Sequence, residues 1–502
     1  MPSAPKISSP EVLVGDHRPQ GGLIIKLLWF ASFAGFLFLA YLPVGTDAQL
    51  YLGVSAGALV LLLRYATGNP TLRMFFLFTA AYLSLRYIFW RTFNTLEYYD
   101  PISYACAIIL YVAELYGIAI YLLGIFVNIS PIYRPILPLP EDESVLPTVD
   151  VFIPSYNEDI NLLKITVSAA LQMKYPEGKH KVYLLDDGGT DAKVNQDNET
   201  GAEEAKERRA KLQALCAELG AQYRTRAKNE HAKAGNINTA FHQTNGELIV
   251  IFDADHVPTQ DFLQNTVGWF LRDPKLFLVQ TPHFFTNPDP VEKNLETFDK
   301  MPSEQEMFYT VVQRGLDFWN SSFFCGSAAV MRRKCLEEVG GIVGDTITED
   351  AETALTLHGR GYNSAYIGRP MCAGLATETL GGFIGQRIRW AQGMMQIFLL
   401  KNPLFYPGLS FSQRLCYLNS CGFWLFPFAR IIFTLAPLGF LFFGLKIYAS
   451  NWADFLAHAV PHLVCVLIVS TALFGRVRWS FVSELYEMMQ AIFCLPAIIK
   501  VF

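Results

Sequence analysis

Asp253-Ala254-Asp255-His256 closes an apolar run, Leu248-Ile249-Val250-Ile251-Phe252, with two carboxylates two residues apart. Strand side chains alternate faces, so both acids reach one ion only where the chain turns, and Pro258 makes a turn there plausible. Paired carboxylates are the oxygen donors Mg2+ takes when it shares the phosphate oxygens of a substrate. Alone, Asp-x-Asp is usually a solvated turn; the buried run before it points instead to a site. Asp187 follows a second apolar run, Lys181-Val182-Tyr183-Leu184-Leu185-Asp186, and precedes Gly188-Gly189. Glycines there let the backbone approach a ligand closely. A carboxylate beside them suits nucleoside hydroxyls or a base edge. Thr348-Glu349-Asp350 opens a helical run. Acids favour a helix start and Thr348 can cap it. Within this motif Asp350 is the candidate general base, taking the proton of an attacking hydroxyl.

Gln386-Arg387-Ile388-Arg389-Trp390 places Gln386, Arg389 and Trp390 on one helical face. Arg389 can clamp a departing diphosphate, where fixed positive charge acts as negative charge develops. Trp390 offers a flat apolar face to a sugar ring, and Gln386 can bond to hydroxyls. An Arg-Trp anchor at a membrane surface is the alternative, and it leaves Gln386 without a role. Lys233, in His231-Ala232-Lys233-Ala234-Gly235-Asn236, is a candidate nucleotide contact. Phe323-Phe324-Cys325-Gly326-Ser327 is apolar and tight, suited to shaping an acceptor pocket at Cys325. No His–acid arrangement activates Cys325 as a nucleophile.

These motifs need a scaffold. Residues 148–154, 181–185 and 247–252 read as buried strands, and 200–219 as a helix. Strand and helix in series predict a mostly parallel sheet with helices on both faces. Ligands then sit beyond the carboxyl ends of the strands, where the motifs converge.

The rest of the chain is apolar. Of 502 residues 52% are hydrophobic and 17% charged, against about 25% charged in a soluble protein. The deficit falls in 22–128 and 415–475. Spanning helices are expected at 23–43, 47–64, 72–92, 102–128, 417–446 and 456–474. Lys6, Arg18, Lys26, Arg64 and Arg73 mark one side as cytosolic. Four spans return the chain to that side before the polar segment. Arg86, Arg91 and Glu114 fall in or at the ends of spans, as pore contacts or as buried and snorkelling charges. The net charge of −5 gives no case for a nucleic-acid partner. None of the nine cysteines forms Cys-x-x-Cys, which argues against a zinc site.

The expected layout is a mobile tail at 1–21, four transmembrane helices in 22–130, a Pro-rich linker at 131–146 and a cytosolic α/β domain at 147–410. Two more transmembrane helices follow in 411–475, then an amphipathic interfacial helix in 476–502.

The ordered set Asp187, Asp253-x-Asp255, Thr348-Glu349-Asp350 and Gln386-x-x-Arg389-Trp390 resembles the processive family 2 glycosyltransferases. The strings 231–236, 253–258, 323–327 and 386–396 look like those of bacterial cellulose synthase catalytic subunits. The resemblance implies a GT-A-type glycosyltransferase domain inserted between blocks of transmembrane α-helices. It implies UDP-glucose as donor, Mg2+, and a β-1,4-glucan passed through a channel in a bacterial inner membrane, among membrane lipid. Carried over by position, Asp187 binds the uridine part and belongs to the catalytic set. Asp253 and Asp255 hold metal and diphosphate, Asp350 is the base, Gln386 and Arg389 bind the diphosphate region, and Trp390 stacks beneath the acceptor. The resemblance also implies a periplasmic partner subunit and activation by cyclic di-GMP at a PilZ domain. That domain, a gating loop and later membrane helices have no counterpart here, and the sequence is read as a truncated one. A related synthase using another sugar and a transporter with a nucleotide-binding domain are the alternative readings.

Overall fold

The structure is a computed structural model and describes residues 23–502. The expected tail at 1–21, with Lys6 and Arg18, lies outside the described residues.

Four helices open the chain: Leu23–Tyr41, Thr46–Leu63, Pro70–Asn94 and Pro101–Val127. Two begin on the same device. Asn69 and Asp100 each accept two backbone N–H bonds, and proline occupies the first helical position. An N–H at that position would have no carbonyl partner within the helix, so proline, which lacks one, forfeits no helical hydrogen bond there. Helices 46–63 and 70–94 pack with Trp452–Phe474 around Val60, Phe76, Leu77, Cys465 and Val469. The approach is close: a β-carbon on Gly53 would lie 2.6 Å from Pro461 Cγ.

Two buried arginines of these helices have partners within the chain. Arg86 donates to Gln49 Oε1 at 2.7 Å and to the carbonyls of Leu39 (3.2 Å) and Leu42 (3.0 Å). It thus satisfies the open C-terminal carbonyls of the first helix. Arg91 is ion-paired with Glu114 at 2.8 Å.

Among the described residues, six helices are long and apolar enough to cross a membrane: Thr46–Ala66, Pro70–Asn94, Pro101–Val127, Phe411–Phe443, Trp452–Phe474 and Ser480–Ile499. The first helix has a shorter apolar stretch, Phe30–Tyr41. Ser480–Ile499 was expected to lie at the interface. Its acids Glu484 and Glu487 are taken up by Arg430, and Glu487 also by Arg478 at 3.1 Å. The rest of that helix is largely apolar. The chain is a multi-pass membrane protein.

Between the helical blocks lies an α/β domain. Its strands are β1 (Val149–Ser155), β2 (His180–Asp186), β3 (Gln222–Arg224), β4 (Leu248–Ile251), β5 (Val257–Pro258), β6 (Leu276–Gln280), β7 (Phe284–Phe285), β8 (Ala329–Arg332), β9 (Asn363–Tyr366) and β10 (Cys372–Gly374). Seven form a sheet in the order β3-β2-β1-β4-β8-β6-β9. β1 pairs in parallel with β2 and β4, β2 with β3, and β6 with β9. β8 runs antiparallel to both neighbours. β5, β10 and β7 make a small second sheet.

Both faces of the large sheet are covered. Val149, Val151 and Ile153 enter one core cluster, and Phe152 enters the other. This explains the near-continuous apolar runs at β1, β2 and β4. The proline segment lies against the domain, where Trp269 Nε1 donates to Pro135 O at 3.1 Å.

Candidate active site

The motifs gather at one edge of this sheet. β2 ends at Asp186, and its carboxylate holds the glycine turn. Oδ1 accepts from Gly188 N at 3.0 Å and Oδ2 from the Tyr223 hydroxyl at 2.9 Å. The turn presents Asp187, whose two oxygens each accept from Arg226 at 2.7 Å, from Nε and Nη2. Arg226 also donates to Glu230 O at 2.6 Å and Ala232 O at 2.9 Å. It therefore ties Asp187 to the bend that leads into Lys233. That bend is strained: His231 and Ala232 have φ of 56° and 44°.

Arg226 had no signal in the sequence beyond a basic loop. Both partners are buried, and breaking such a pair costs about 3–5 kcal/mol. Arg226→Met is expected to lower the melting temperature and to abolish nucleotide binding. A variant with the parent's melting curve and UDP affinity would remove Arg226 from the site.

Lys233 Nζ donates to Asp253 Oδ1 and, at 2.8 Å, to Gly326 O. Lys233 and Asp253 keep 28% and 35% of their side chains exposed, so the pair opens to a ligand. Gly326, at φ 85°, stands between them and Asp350. A β-carbon there would lie 3.4 Å from Asp350 Oδ2 and 3.5 Å from Lys233 Nζ. The structure thus brings Asp253, Lys233, the Cys325-Gly326 turn and Asp350 to one point.

Ser327 supports this point from below. Its Oγ accepts from Asp253 N at 2.9 Å and bonds to His256 Nδ1 at 2.6 Å. His256 is thereby held by a hydroxyl. Behind it, His283 Nε2 donates to Ser327 O at 2.9 Å, and the Tyr309 hydroxyl lies 2.8 Å from its Nδ1. The sequence reading missed His283 and Tyr309. Tyr309 sits in the π-helical turn Phe308–Val312, a distortion frequent at functional sites.

Glu349 and Asp350 begin the helix Glu349–Gly359. Thr348 holds the cap position without capping. Its side chain packs instead against the helix Leu380–Leu400, where a β-carbon on Gly393 would lie 2.5 Å from Thr348 Cγ2. Gln396 Oε1 of that helix accepts from Ile347 N at 2.9 Å. The same helix carries Gln386, Arg389 and Trp390. Among the described residues Gln386 and Arg389 make no side-chain hydrogen bond or close ion pair within the chain. Burial raises Glu349 above the usual carboxylate range, with Lys233 and Arg389 acting against it. Trp390 meets Trp424 edge to face at 6.5 Å. No hydrogen bond joins these three side chains to the carboxylates.

The charges are tuned by burial and by one another. Burial, with Glu349 beside it, pushes Asp350 up to about 7. Burial and the charge of Asp253 raise Asp255, against His256. Burial also works against ionisation of Asp253, yet Lys233 and His256 outweigh it and hold that carboxyl below its usual range. Burial drives His283 down to about 3, so it is neutral. Burial raises the Cys325 thiol well above its ordinary range, which removes it as a nucleophile.

Carboxylates beyond the strand ends of a mixed sheet, with membrane helices on either side, define a GT-A-type glycosyltransferase domain. The sequence model described as glycosyl transferase family 2 matches residues 150–340, and that of glycosyl transferase family group 2 matches residues 248–491. The chain belongs to the family 2 glycosyltransferases. It is 45% identical over 416 residues to a UDP-forming cellulose synthase catalytic subunit of Pseudomonas fluorescens, covering 83% of this chain and 54% of that one. It is 44% identical over 414 residues to the corresponding subunit of Xanthomonas axonopodis, covering 82% and 54%. Cellulose synthase 2 of Novacetimonas hansenii is 43% identical over 450 residues, 90% of this chain and 27% of that protein. The chain thus spans about half the length of the catalytic subunits it matches and about a quarter of the longer synthase.

Proposed function

We propose that the protein is a processive inverting glycosyltransferase that polymerises glucose from UDP-glucose into β-1,4-glucan and passes the polymer across a bacterial inner membrane. The observation that carries this reading is Asp350, tuned to about 7 and facing the Lys233–Asp253 pair across Gly326. A general base works best with a pKa near the working pH.

The acceptor hydroxyl attacks the anomeric carbon of the donor. Its proton goes to Asp350, the new C–O bond forms, and the bond to the diphosphate oxygen breaks with its electron pair on UDP. Lys233 and Arg389 place positive charge where that negative charge grows. Asp187, held by Arg226, takes the nucleoside end. Cys325 and Gly326 shape the acceptor pocket. Gln386 contacts the diphosphate region, and Trp390 stacks under the acceptor.

Asp253 and Asp255 fit a Mg2+ ion. They are two hard carboxylates, and among the described residues no group of three or more candidate metal-ligating side chains forms a fuller set; Mg2+ commonly completes such a partial set from phosphate and water. When bound, the ion neutralises diphosphate charge. In this reading the domain faces the cytosol, where Arg64 and Arg73 mark the positive side. We extend it to a periplasmic partner subunit and to activation by cyclic di-GMP on the family resemblance alone.

Donor choice is tested by calorimetric titration with UDP-glucose, UDP-N-acetylglucosamine, UDP-glucuronate and GDP-mannose in Mg2+. UDP-glucose is expected to bind at least about tenfold more tightly than the others. Tighter binding of another sugar nucleotide would change the polymer.

A further inference from the structure

Arg387 lies inside the Gln-x-x-Arg-Trp stretch, yet neither the motif nor the reaction above gives it a role. Its side chain is only 6% exposed. Its guanidinium lies 4.7 Å from the centre of the Trp390 ring and 5.0 Å from that of Phe383. Its one hydrogen bond among the described residues is from Nη2 to Glu304 Oε2, at 2.9 Å. A buried guanidinium stacked on two rings and tied to a carboxylate is fixed in position and orientation.

We propose that Arg387, anchored by Glu304, is a positioning residue that sets the ring of Trp390 and leaves its opposite face for the acceptor sugar. The proposal rests on reading Trp390 as the acceptor platform. Trp390 cannot set itself. It is half-buried, and its other aromatic neighbour, Trp424, meets it only edge on. The anchor reaches further. Glu304 follows the helix Pro290–Leu295, whose cap Asp289 accepts from the Tyr486 hydroxyl at 2.8 and 2.7 Å. Tyr486 in turn meets Phe383, the second ring under Arg387. The acceptor platform is thus tied through one arginine to the helix Ser480–Ile499.

A misplaced acceptor surface has a distinct signature in a glycosyltransferase. The donor is still bound and activated, but water takes the place of the sugar hydroxyl. Free glucose then rises relative to polymer. General loss of folding lowers both together.

The test uses the full chain in lipid nanodiscs, labelled with 5-fluorotryptophan, with Trp390→Phe assigning the Trp390 fluorine resonance. In Arg387→Met and Glu304→Gln that resonance is expected to shift or broaden, while tryptophans other than Trp424 hold theirs. Arg387→Lys keeps the charge without the planar stack and should not restore the parent signal. An unchanged Trp390 resonance in Arg387→Met would overturn the proposal. The same variant, given labelled UDP-glucose and Mg2+, should lose about tenfold or more in polymer, gain severalfold in free glucose per UDP released, and bind UDP within about twofold of the parent. Polymer and free glucose falling in proportion would also overturn it. A parent protein that transfers nothing from UDP-glucose would count against the proposed function, and the fluorine spectrum would still decide the role of Arg387.

Discussion

Asn in place of Asp350 lowers sugar transfer by about 10²–10⁴-fold and leaves UDP binding where it was. Asn keeps the shape of the side chain and removes its capacity to take a proton. The pH profile of the parent should report the same group. With Asp350 near 7, the ionised base is the minor form at pH 6. The rate should fall about tenfold per pH unit below neutrality and level off above it. The folding signs agree with this assignment. A carboxyl near 7 in the native state and near about 3.9 unfolded favours the native state most at low pH. That contribution is lost as pH rises from about 4 through 7, because the charged form is buried at a cost. The Asn variant should therefore melt at or above the parent temperature at pH 8. Rapid transfer by the variant, or a parent rate that is flat from pH 5 to 8, would remove Asp350 as the base.

Ala in place of Asp253 should be nearly as damaging. The carboxylate holds Lys233, which also bonds to Gly326 beside Asp350. Losing it leaves Lys233 without its partner and takes away one of two carboxylates available to Mg2+. Transfer should drop by roughly 10²–10³-fold. The decisive readout is binding. In the parent, Mg2+ should strengthen UDP affinity, and in Asp253→Ala that gain should vanish. A variant in which Mg2+ still tightens UDP binding as before would exclude Asp253 from the metal set.

Much of this site was legible because its acids stand at the ends of β1-type apolar runs. β4 and most of β1 and β2 are buried on both faces, so their apolar runs are near-continuous, broken in β1 only by the buried Asp150, and they end at polar residues. Asp187 and Asp253 follow directly. The direction of β8 was not legible. Ala329-Val330-Met331-Arg332 would look the same in a parallel strand, since pairing direction is set by the connections and not by four side chains. The partners of the site were hidden for a related reason. Arg226 meets Asp187 across 39 residues, and Arg387 meets Glu304 across 83. No local period connects such pairs. The partners of the acids in the last helix were hidden in the same way: Glu484 and Glu487 meet Arg430 across 54 and 57 residues. Arg86 read as a possible pore contact, and it ends on helix carbonyls that the sequence could not place beside it.

The central claim is that the site on this sheet builds β-1,4-glucan. The most direct measurement incubates the purified protein in lipid with Mg2+ and labelled UDP-glucose, beside a version extended to the full length of its relatives, and digests the insoluble product with a β-1,4-glucanase. The account predicts polymer that the glucanase dissolves completely and that the Asp350→Asn variant does not make. Absence of polymer from both versions while UDP is bound, or polymer that resists the enzyme, would contradict it.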